Sequence, residues 1–172
     1  MTRVAVIGNG GGGKSTMCRQ LSRALNIPCY TIDKIQWKPG WQRTPEEEFR
    51  EKHEHILAQE KWIIDGWGPR EAIQQRFELA DTLIFVDHPL YIHYWWAAKR
   101  QFLSIFREYQ DGPEGSPLLP VTFRMFRTIH AVHYTMRPWL LETLASFKDG
   151  KDIIHIHSPR EMQVFINQHC KP

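Results

Sequence analysis

The chain predicts an α/β protein: a three-layer α/β/α arrangement with a five-stranded parallel sheet in the middle. Short apolar runs alternate with helical patterns along the sequence, as expected of parallel strands joined by crossover helices. Gly8-Asn9-Gly10-Gly11-Gly12-Gly13-Lys14-Ser15 fits the phosphate-loop pattern G-x-x-x-x-G-K-[ST]. That loop lies between a strand-like run and a helical pattern, the context in which backbone N–H groups and a helix start can hold a phosphate. Together these observations predict a P-loop NTPase fold.

The elements follow in order. Arg3-Val4-Ala5-Val6-Ile7 is an apolar run suited to a buried parallel strand, and Met17, Leu21, Ala24 and Leu25 recur at helical spacing before the breaker Pro28. Four further runs read as strands: Cys29-Tyr30-Thr31-Ile32, Trp62-Ile63-Ile64, Thr82-Leu83-Ile84-Phe85-Val86 and Asp152-Ile153-Ile154-His155-Ile156. Thr44-Pro45-Glu46-Glu47 reads as a capping box with Pro at N1, opening a helix that buries Phe49, Ile56 and Leu57. Asp87-His88-Pro89 stops the fourth strand and starts a long aromatic helix. Residues 111–117 are a loop rich in turn formers, and a second long helix is expected over 121–147, bent or broken near Pro138. Ser158-Pro159 opens the last helix. The insertion between the fourth and fifth strands, approximately 99–140, is where a lid would sit, and residues 1–172 read as one domain.

Composition narrows the class. The net charge of +3 is mild and suits anionic substrates without indicating nucleic acid. Cys18, Cys29 and Cys170 form no C-x-x-C pair, which disfavours a disulfide framework and points to a cytoplasmic setting. No signal-peptide pattern precedes the first strand. The aromatic stretch 91–106 is interrupted by His93, Lys99 and Arg100, so no membrane span is expected.

The glycine loop carries the clearest chemistry. Gly8, Asn9, Gly10, Gly11, Gly12, Gly13, Lys14, Ser15 and Thr16 are the expected nucleotide-binding residues. Lys14 is placed to reach the β/γ-phosphates of ATP, Ser15 to ligate Mg²⁺, and Thr16 to extend the hydroxyl-bearing helix start. A flexible glycine linker would have no reason to follow a buried strand or to end in Lys-Ser-Thr. Asp33, Asp65 and Asp87 sit at strand carboxyl ends, where ligands collect in open α/β sheets. Asp65 is the candidate metal carboxylate, with a helix cap as its alternative. Asp33 suits an acceptor hydroxyl or phosphate, with a turn as its alternative, and Asp87 reads first as an N-cap.

Two stretches, Asp33-Lys34-Ile35-Gln36-Trp37-Lys38-Pro39-Gly40-Trp41 and Trp62-Ile63-Ile64-Asp65-Gly66, with Arg137-Pro138 and residues 153–160, carry a resemblance over essentially the whole chain. They resemble the adenylate-kinase-like branch of P-loop kinases, and within it the DNA topology modulation (FlaR-like) family. The resemblance implies a parallel core in the order 2-3-1-4-5, an acceptor-side segment after the second strand and an arginine-bearing lid. Asp65-Gly66-Trp67-Gly68-Pro69-Arg70 is also similar to the Asp-Gly-Phe-Pro-Arg turn of nucleoside monophosphate kinases, with one residue inserted; this implies an acceptor-side role for Arg70.

Trp37 and Trp41 lie in a segment too rich in Lys, Pro and Gly for a core strand. They stack on an acceptor ring or fold back to cover the sheet edge. At about 100° per residue, Arg124, Arg127, His130, Tyr134 and Arg137 share one arc, and Val121, Met125, Ile129, Val132 and Met136 the opposite one. No acidic residue lies between Gly115 and Leu141, so the basic arc is expected to face phosphate. His93, Arg100 and Arg107 share a face of the preceding helix, with Trp96 beside it. His155 and His157, and His130 and His133, lack further zinc ligands at suitable spacing and read as structural or solvent-facing.

The expected activity is γ-phosphoryl transfer from Mg-ATP to a small-molecule phosphoacceptor. Lys14, Asp33, Arg100, Arg124, Arg127 and Arg137 form the catalytic set, Asp33, Trp37, Trp41 and Arg70 the acceptor set, and Ser15 and Asp65 the metal ligands. The rival is a nucleotide-dependent regulator that hydrolyses ATP slowly and acts on DNA or a protein partner, and a third reading is nucleotide binding without turnover.

Overall fold

Strand β1 (Arg3–Gly8) is the middle of the sheet, because its residues are apolar on both faces and a parallel strand must be covered on both. The computed structural model describes residues 1–106 and 111–170. The other sheet strands are β2 (Cys29–Thr31), β5 (Trp62–Asp65), β6 (Thr82–Val86) and β7 (Asp152–Ile156). They lie in the order β2-β5-β1-β6-β7, every neighbouring pair parallel. Counted among themselves, these strands run 2-3-1-4-5. A short antiparallel hairpin of β3 (Trp37–Lys38) and β4 (Gln42–Arg43) stands apart from the sheet.

Two apolar clusters cover the two faces. Val4 and Val6 point to the side packed by Met17, Cys18 and Leu21 of helix α1 (Lys14–Leu25) and by Met162 and Phe165 of α8 (Pro159–His169). Ala5 and Ile7 point to the other side. There Phe49, Ile56 and Leu57 of α3 (Glu46–Leu57), Ile73 and Phe77 of α4 (Arg70–Leu79), and Leu140 and Leu144 of α7 (Arg137–Ala145) close the core. Each aliphatic residue so buried contributes about 1.5–3 kcal/mol, and their alternation along β1 sets which face each strand gives to which helix. Helix α5 (Leu90–Leu103) and α6 (Thr122–Ala131) belong to the insertion between β6 and β7. Among the described residues no helix is long and apolar enough to cross a membrane.

Local chemistry departs from the sequence expectation at three places, and the break expected near Pro138 is present. The second strand ends at Thr31, paired with Asp65, and Ile32–Gln36 form a short helix, α2, that turns the chain up towards the hairpin. At Thr44 there is no capping box. Pro45 occupies the N-cap position without a side-chain bond, and buried Thr44 instead donates its backbone N–H to the Gln36 carbonyl at 2.9 Å. Asp87 does not cap α5, whose N-cap position is Pro89. The helix expected over 121–147 is α6, a π-helical turn (Val132–Met136) and α7 in succession. Pro138 lacks the N–H that an α-helix would need there, and the widened turn just before it accommodates the ring. Only the last helix caps as its sequence predicts: Glu161 N–H donates to Ser158 Oγ at 3.2 Å while His157 N–H donates to Glu161 Oε2 at 2.8 Å.

Gly8 shows how tightly the sheet holds the glycine loop. A Cβ there would lie 2.2 Å from the Val86 carbonyl oxygen, at a φ of +149°. Gly40, at φ +74°, has nothing within 4 Å of its Cβ position. Gly8→Ala should therefore cost roughly 2–4 kcal/mol from clash and backbone strain together, and Gly40→Ala about 1–2 kcal/mol from φ alone. Urea unfolding of the two variants checks the contrast; equal losses would show that the strand relaxes around the added methyl.

Candidate phosphoryl-transfer site

A cavity of about 530 Å³ opens where the glycine loop leaves β1. Its floor is Gly10, Gly11, Gly12, Gly13, Lys14, Ser15 and Thr16, with Asp33 and Asp65 on the strand side and Trp37, Trp41 and Trp67 along the hairpin side. Residues of α5 and α6 close it from above. The loop takes its shape because it has no side chains to place. A Cβ on Gly11 would meet the His93 carbonyl oxygen at 2.5 Å, and one on Gly13 would meet the Trp96 ring at 2.8 Å. Gly13 itself, at φ +76°, is the N-cap of α1, so the first free N–H groups of that helix face the cavity.

Four polar contacts fix the loop. Asn9 Nδ2 donates to the Ile129 carbonyl at 2.7 Å, and Gly10 N–H donates to Asn9 Oδ1 at 2.8 Å. His93 Nδ1 donates to the Gly10 carbonyl at 3.0 Å, which assigns the tautomer. Burial, and then the charge of Lys14, holds the His93 imidazole down at about 4, so it stays neutral there. Lys14 Nζ donates to the Asn9 carbonyl at 2.8 Å, folded back over the loop.

The carboxylates share a dry corner. Ser15 Oγ donates to Asp65 Oδ2 at 2.5 Å, while the buried Asp65 Oδ1 has no hydrogen-bond partner. Burial pushes the Asp65 carboxyl up, against the opposing pull of Lys14 and the Ser15 hydroxyl. Asp33 is part-buried and faces the cavity; burial, then the Asp65 charge, raises it to about 6, with Lys14 and Arg100 pulling the other way. An orphaned buried oxygen beside a hydroxyl is the donor set that a hard divalent cation takes, so Ser15 and Asp65 fit Mg²⁺.

The structure also shows what the sequence did not reveal. Arg76 is 1% exposed and braces the turn after β5, donating from Nη1 to the Gly66 carbonyl at 2.8 Å and from Nη2 to the Trp67 carbonyl at 2.7 Å. Burial lowers its guanidinium to about 9, with Asp65 pulling it back up. Trp67 in turn donates its Nε1–H to the Gly8 carbonyl at 2.7 Å. A buried arginine one turn from the end of an amphipathic helix gives no sequence signal that separates it from a solvated one. Asp111 joins the cavity wall and pairs with Arg19 of α1.

The basic arc of α6 is mostly turned away. Val121, Met125, Ile129, Val132 and Met136, the apolar arc, line the cavity instead. An apolar stripe has to be covered, and Ile129 is covered by packing on Gly10. Of the arginines on that helix, Arg124 reaches the cavity, its guanidinium 5.4 Å from the Trp37 ring centroid. Arg127 is exposed outside the lining. Arg137 is drawn to the end of β6, donating from Nε and Nη2 to Asp87 at 2.7 and 2.8 Å. Asp87 also accepts from His155 Nε2 at 2.9 Å, so the histidine pair of β7 gains a third neighbour from another strand. Arg70 lies outside the lining as well, against Trp139 with its guanidinium 5.1 Å from the ring centroid. Gly8 and Asn9 shape the loop from behind the cavity surface. Arg100 lines the cavity and donates to Met125 Sδ at 2.8 Å; Arg107 lies outside the described residues. Trp37 and Trp41 meet edge to face, centroids 6.3 Å apart. The hairpin is tied to residues 116–117 by Gly40 N–H to Ser116 Oγ at 2.8 Å and Trp41 Nε1–H to the Pro117 carbonyl at 2.9 Å.

No protein-family model matches the chain, and no curated protein matches it. Solved structures do. A shikimate kinase from Acinetobacter baumannii, in complex with shikimate, is 14% identical at a TM-score of 0.56, with 98% of this chain and 92% of that one covered. A shikimate kinase from Aquifex aeolicus is 18% identical at a TM-score of 0.51, covering 96% of this chain and 92% of that one. A sugar kinase from Janibacter sp. is 13% identical at a TM-score of 0.51, covering 98% and 94%. At this level of identity the likeness is one of fold: the chain has the five-stranded parallel α/β fold of P-loop kinases.

Proposed function

We propose that the chain is a kinase that moves the γ-phosphoryl group of ATP to a hydroxyl of a small acceptor, with Mg²⁺. The observation that carries this reading is the meeting, in one cavity, of the Lys14–Ser15 loop start and the raised carboxyl of Asp33. In this reading the loop N–H groups and Lys14 hold the polyphosphate and offset charge on the transferring oxygens. Ser15 and Asp65 would hold Mg²⁺, which supplies further charge neutralisation at the phosphate oxygens. Asp33 takes the proton of the acceptor hydroxyl as the new O–P bond forms and the bond to the β-phosphate oxygen breaks, with ADP as the leaving group. A raised carboxyl suits that base better than an ordinary one, because its proton affinity lies nearer to neutral pH. Trp37, Trp41 and Arg124 form the acceptor wall, residues of approximately 99–140 act as the lid, and the whole chain is one P-loop domain. The resemblance of the Asp33–Trp41 stretch to the DNA topology modulation family supports an acceptor side built by the hairpin. Screening nucleosides, nucleoside monophosphates, sugars and hydroxy acids for acceptor-stimulated ADP formation from ATP tests the assignment, with Lys14→Ala as the inactive control.

A second reading, a DNA-acting regulator, draws on α6, where Arg127 is exposed on the outward face and Arg124 is exposed at the cavity edge. If that face meets a phosphate backbone, Arg124→Ala and Arg127→Ala should each reduce the salt slope of DNA affinity by about 1. In the kinase reading Arg127→Ala leaves kcat unchanged and Arg124→Ala raises the acceptor KM. DNA affinity that vanishes with the two substitutions while kcat and KM stay put would favour the regulator.

With Asp33 as base, kcat/KM should rise tenfold per pH unit below about 6 and level off above it. Asp33→Asn should lower the plateau by roughly 10²–10⁴. The stability effect has the opposite sign. The folded state holds the Asp33 proton more tightly than the unfolded chain, so ionised Asp33 destabilises the fold above about pH 6 and not below the ordinary carboxyl range. Melting curves should thus show Asp33→Asn above wild type at pH 8 and level with it at pH 4. A pH-independent difference would show that the carboxyl is not held up.

Asp65→Asn should weaken binding of Mg·ATP more than of metal-free ADP, since the lost charge faces the cation. Titrations with and without Mg²⁺ compare the two, and equal losses would reduce Asp65 to a strand-end residue.

A further inference from the structure

Helix α5 does two opposite things. One face, His93, Ala97 and Gln101, is buried and carries the bond to the Gly10 carbonyl. The other face is exposed and almost wholly apolar. Tyr91, Trp95, Phe102 and Phe106 are 69%, 67%, 62% and 71% exposed, and Ile105 is 56% exposed. Their spacing is not scattered. At about 100° per residue, Tyr91, Trp95, Ala98 and Phe102 fall within an arc of roughly 60° turned away from the buried face, and Ile105 and Phe106 lie in the turn that follows the helix. Tyr91, Trp95, Ala98 and Phe102 also repeat at steps of four, three and four residues, the seam spacing of paired helices.

We propose that this stripe is the interface of a homodimer, with two copies of α5 packed antiparallel about a two-fold axis at Ala98. Area is the first argument. An aromatic side chain buries about 150–250 Å², so the exposed portions of the four rings amount to roughly 400–700 Å². The exposed Ile105 side chain brings the face towards the ~800 Å² per partner of a standard interface. It exceeds the few hundred Å² that a monomer ordinarily leaves open in one patch. Self-complementarity is the second. Ala98 leaves room for two helices to approach, and a two-fold axis through it sets Trp95 against the partner's Phe102 and Phe102 against the partner's Trp95. The stripe itself bears no charge, and Lys99 lies at its flank, where its ammonium group stays in water. Those features suit an identical apolar face better than an acidic or basic partner. A membrane surface fits less well, because an interfacial helix needs a basic, solvated face opposite its apolar one, and here that opposite face is packed on the glycine loop. Since the buried side of α5 is already held by the loop, the stripe is rigid before it meets its partner, which lowers the ordering cost of association. Dimerisation would hold α5 from both sides and set the two glycine loops back to back.

Light scattering across protein concentration should give twice the 20.4 kDa chain mass for wild type. Trp95→Glu should raise the dimer dissociation constant roughly 30-fold or more, as loss of a central aromatic anchor does, while far-UV ellipticity is kept. Ala98→Cys, in a chain with Cys29→Ser and Cys170→Ser, should cross-link to a covalent dimer on mild oxidation, since only a two-fold axis brings the same residue of both copies together. This second variant also decides the matter if Trp95→Glu does not fold. A wild-type monomer at all concentrations overturns the proposal, whether or not it pellets with vesicles of phosphatidylcholine and phosphatidylglycerol. So does a dimer indifferent to Trp95→Glu, or a folded Ala98→Cys protein that forms no cross-link.

Discussion

The glycines at 10–13 pack against two helices with nothing but backbone, and the rest of the site depends on that constraint. Helix α5 approaches so closely that a methyl on Gly11 would collide with the His93 carbonyl, and Ile129 of α6 rests directly on Gly10. The absence of side chains is thus what lets the insertion between β6 and β7 sit over the loop. In return the helices supply the bonds that hold the loop open: His93 to the Gly10 carbonyl, and Asn9 to the Ile129 carbonyl. Loop and cover are one assembly, and neither would keep its shape without the other.

Charge is arranged around the same point. Asp33 and Asp65 are both desolvated, and the Asp65 charge raises the cost of ionising Asp33, as Asp111 does for both. Lys14 offsets part of that cost for both, and Arg100 and Arg76 help from opposite sides. Such a corner is tolerable without ligand only because it can hold protons. A cation at Ser15 and Asp65 would remove much of the repulsion, which ties metal binding to the ionisation of Asp33 without any contact between the two. The buried Arg76 stabilises the turn through two carbonyls and influences Asp65 through space.

Helix α6 shows how tertiary packing overrules a surface pattern. An arc of arginines with no acid nearby reads as a phosphate-facing surface, yet the opposite, apolar arc faces the cavity. Burial of Ile129, with partial burial of Val121, Met125 and Val132, is worth several kcal/mol together. An exposed arginine that turns from the cavity to water gives up little by comparison. Arg137 then finds Asp87, two residues from different elements that no local spacing links. The π-helical turn before Pro138 sets the angle at which it does so.

Periodicity and the glycine-loop pattern by themselves determined the five sheet strands, the helix after the loop and the choice of Lys14, Ser15 and Asp65, which line one cavity. These are local signals: apolar runs, breakers and a motif whose chemistry needs a strand before it and a helix after it. The resemblance added the order of the strands. What only the tertiary structure decided is which of several equally polar residues come together. Asp87 reads as a cap and is an ion-pair partner, Arg70 and Arg137 read as ligands and pack on Trp139 and Asp87, and Arg76 and His93 give no signal until burial singles them out. The physical reason is common to all of them. A side chain's role at a site depends on the distance and dielectric set by elements far away in sequence, and a linear pattern records neither.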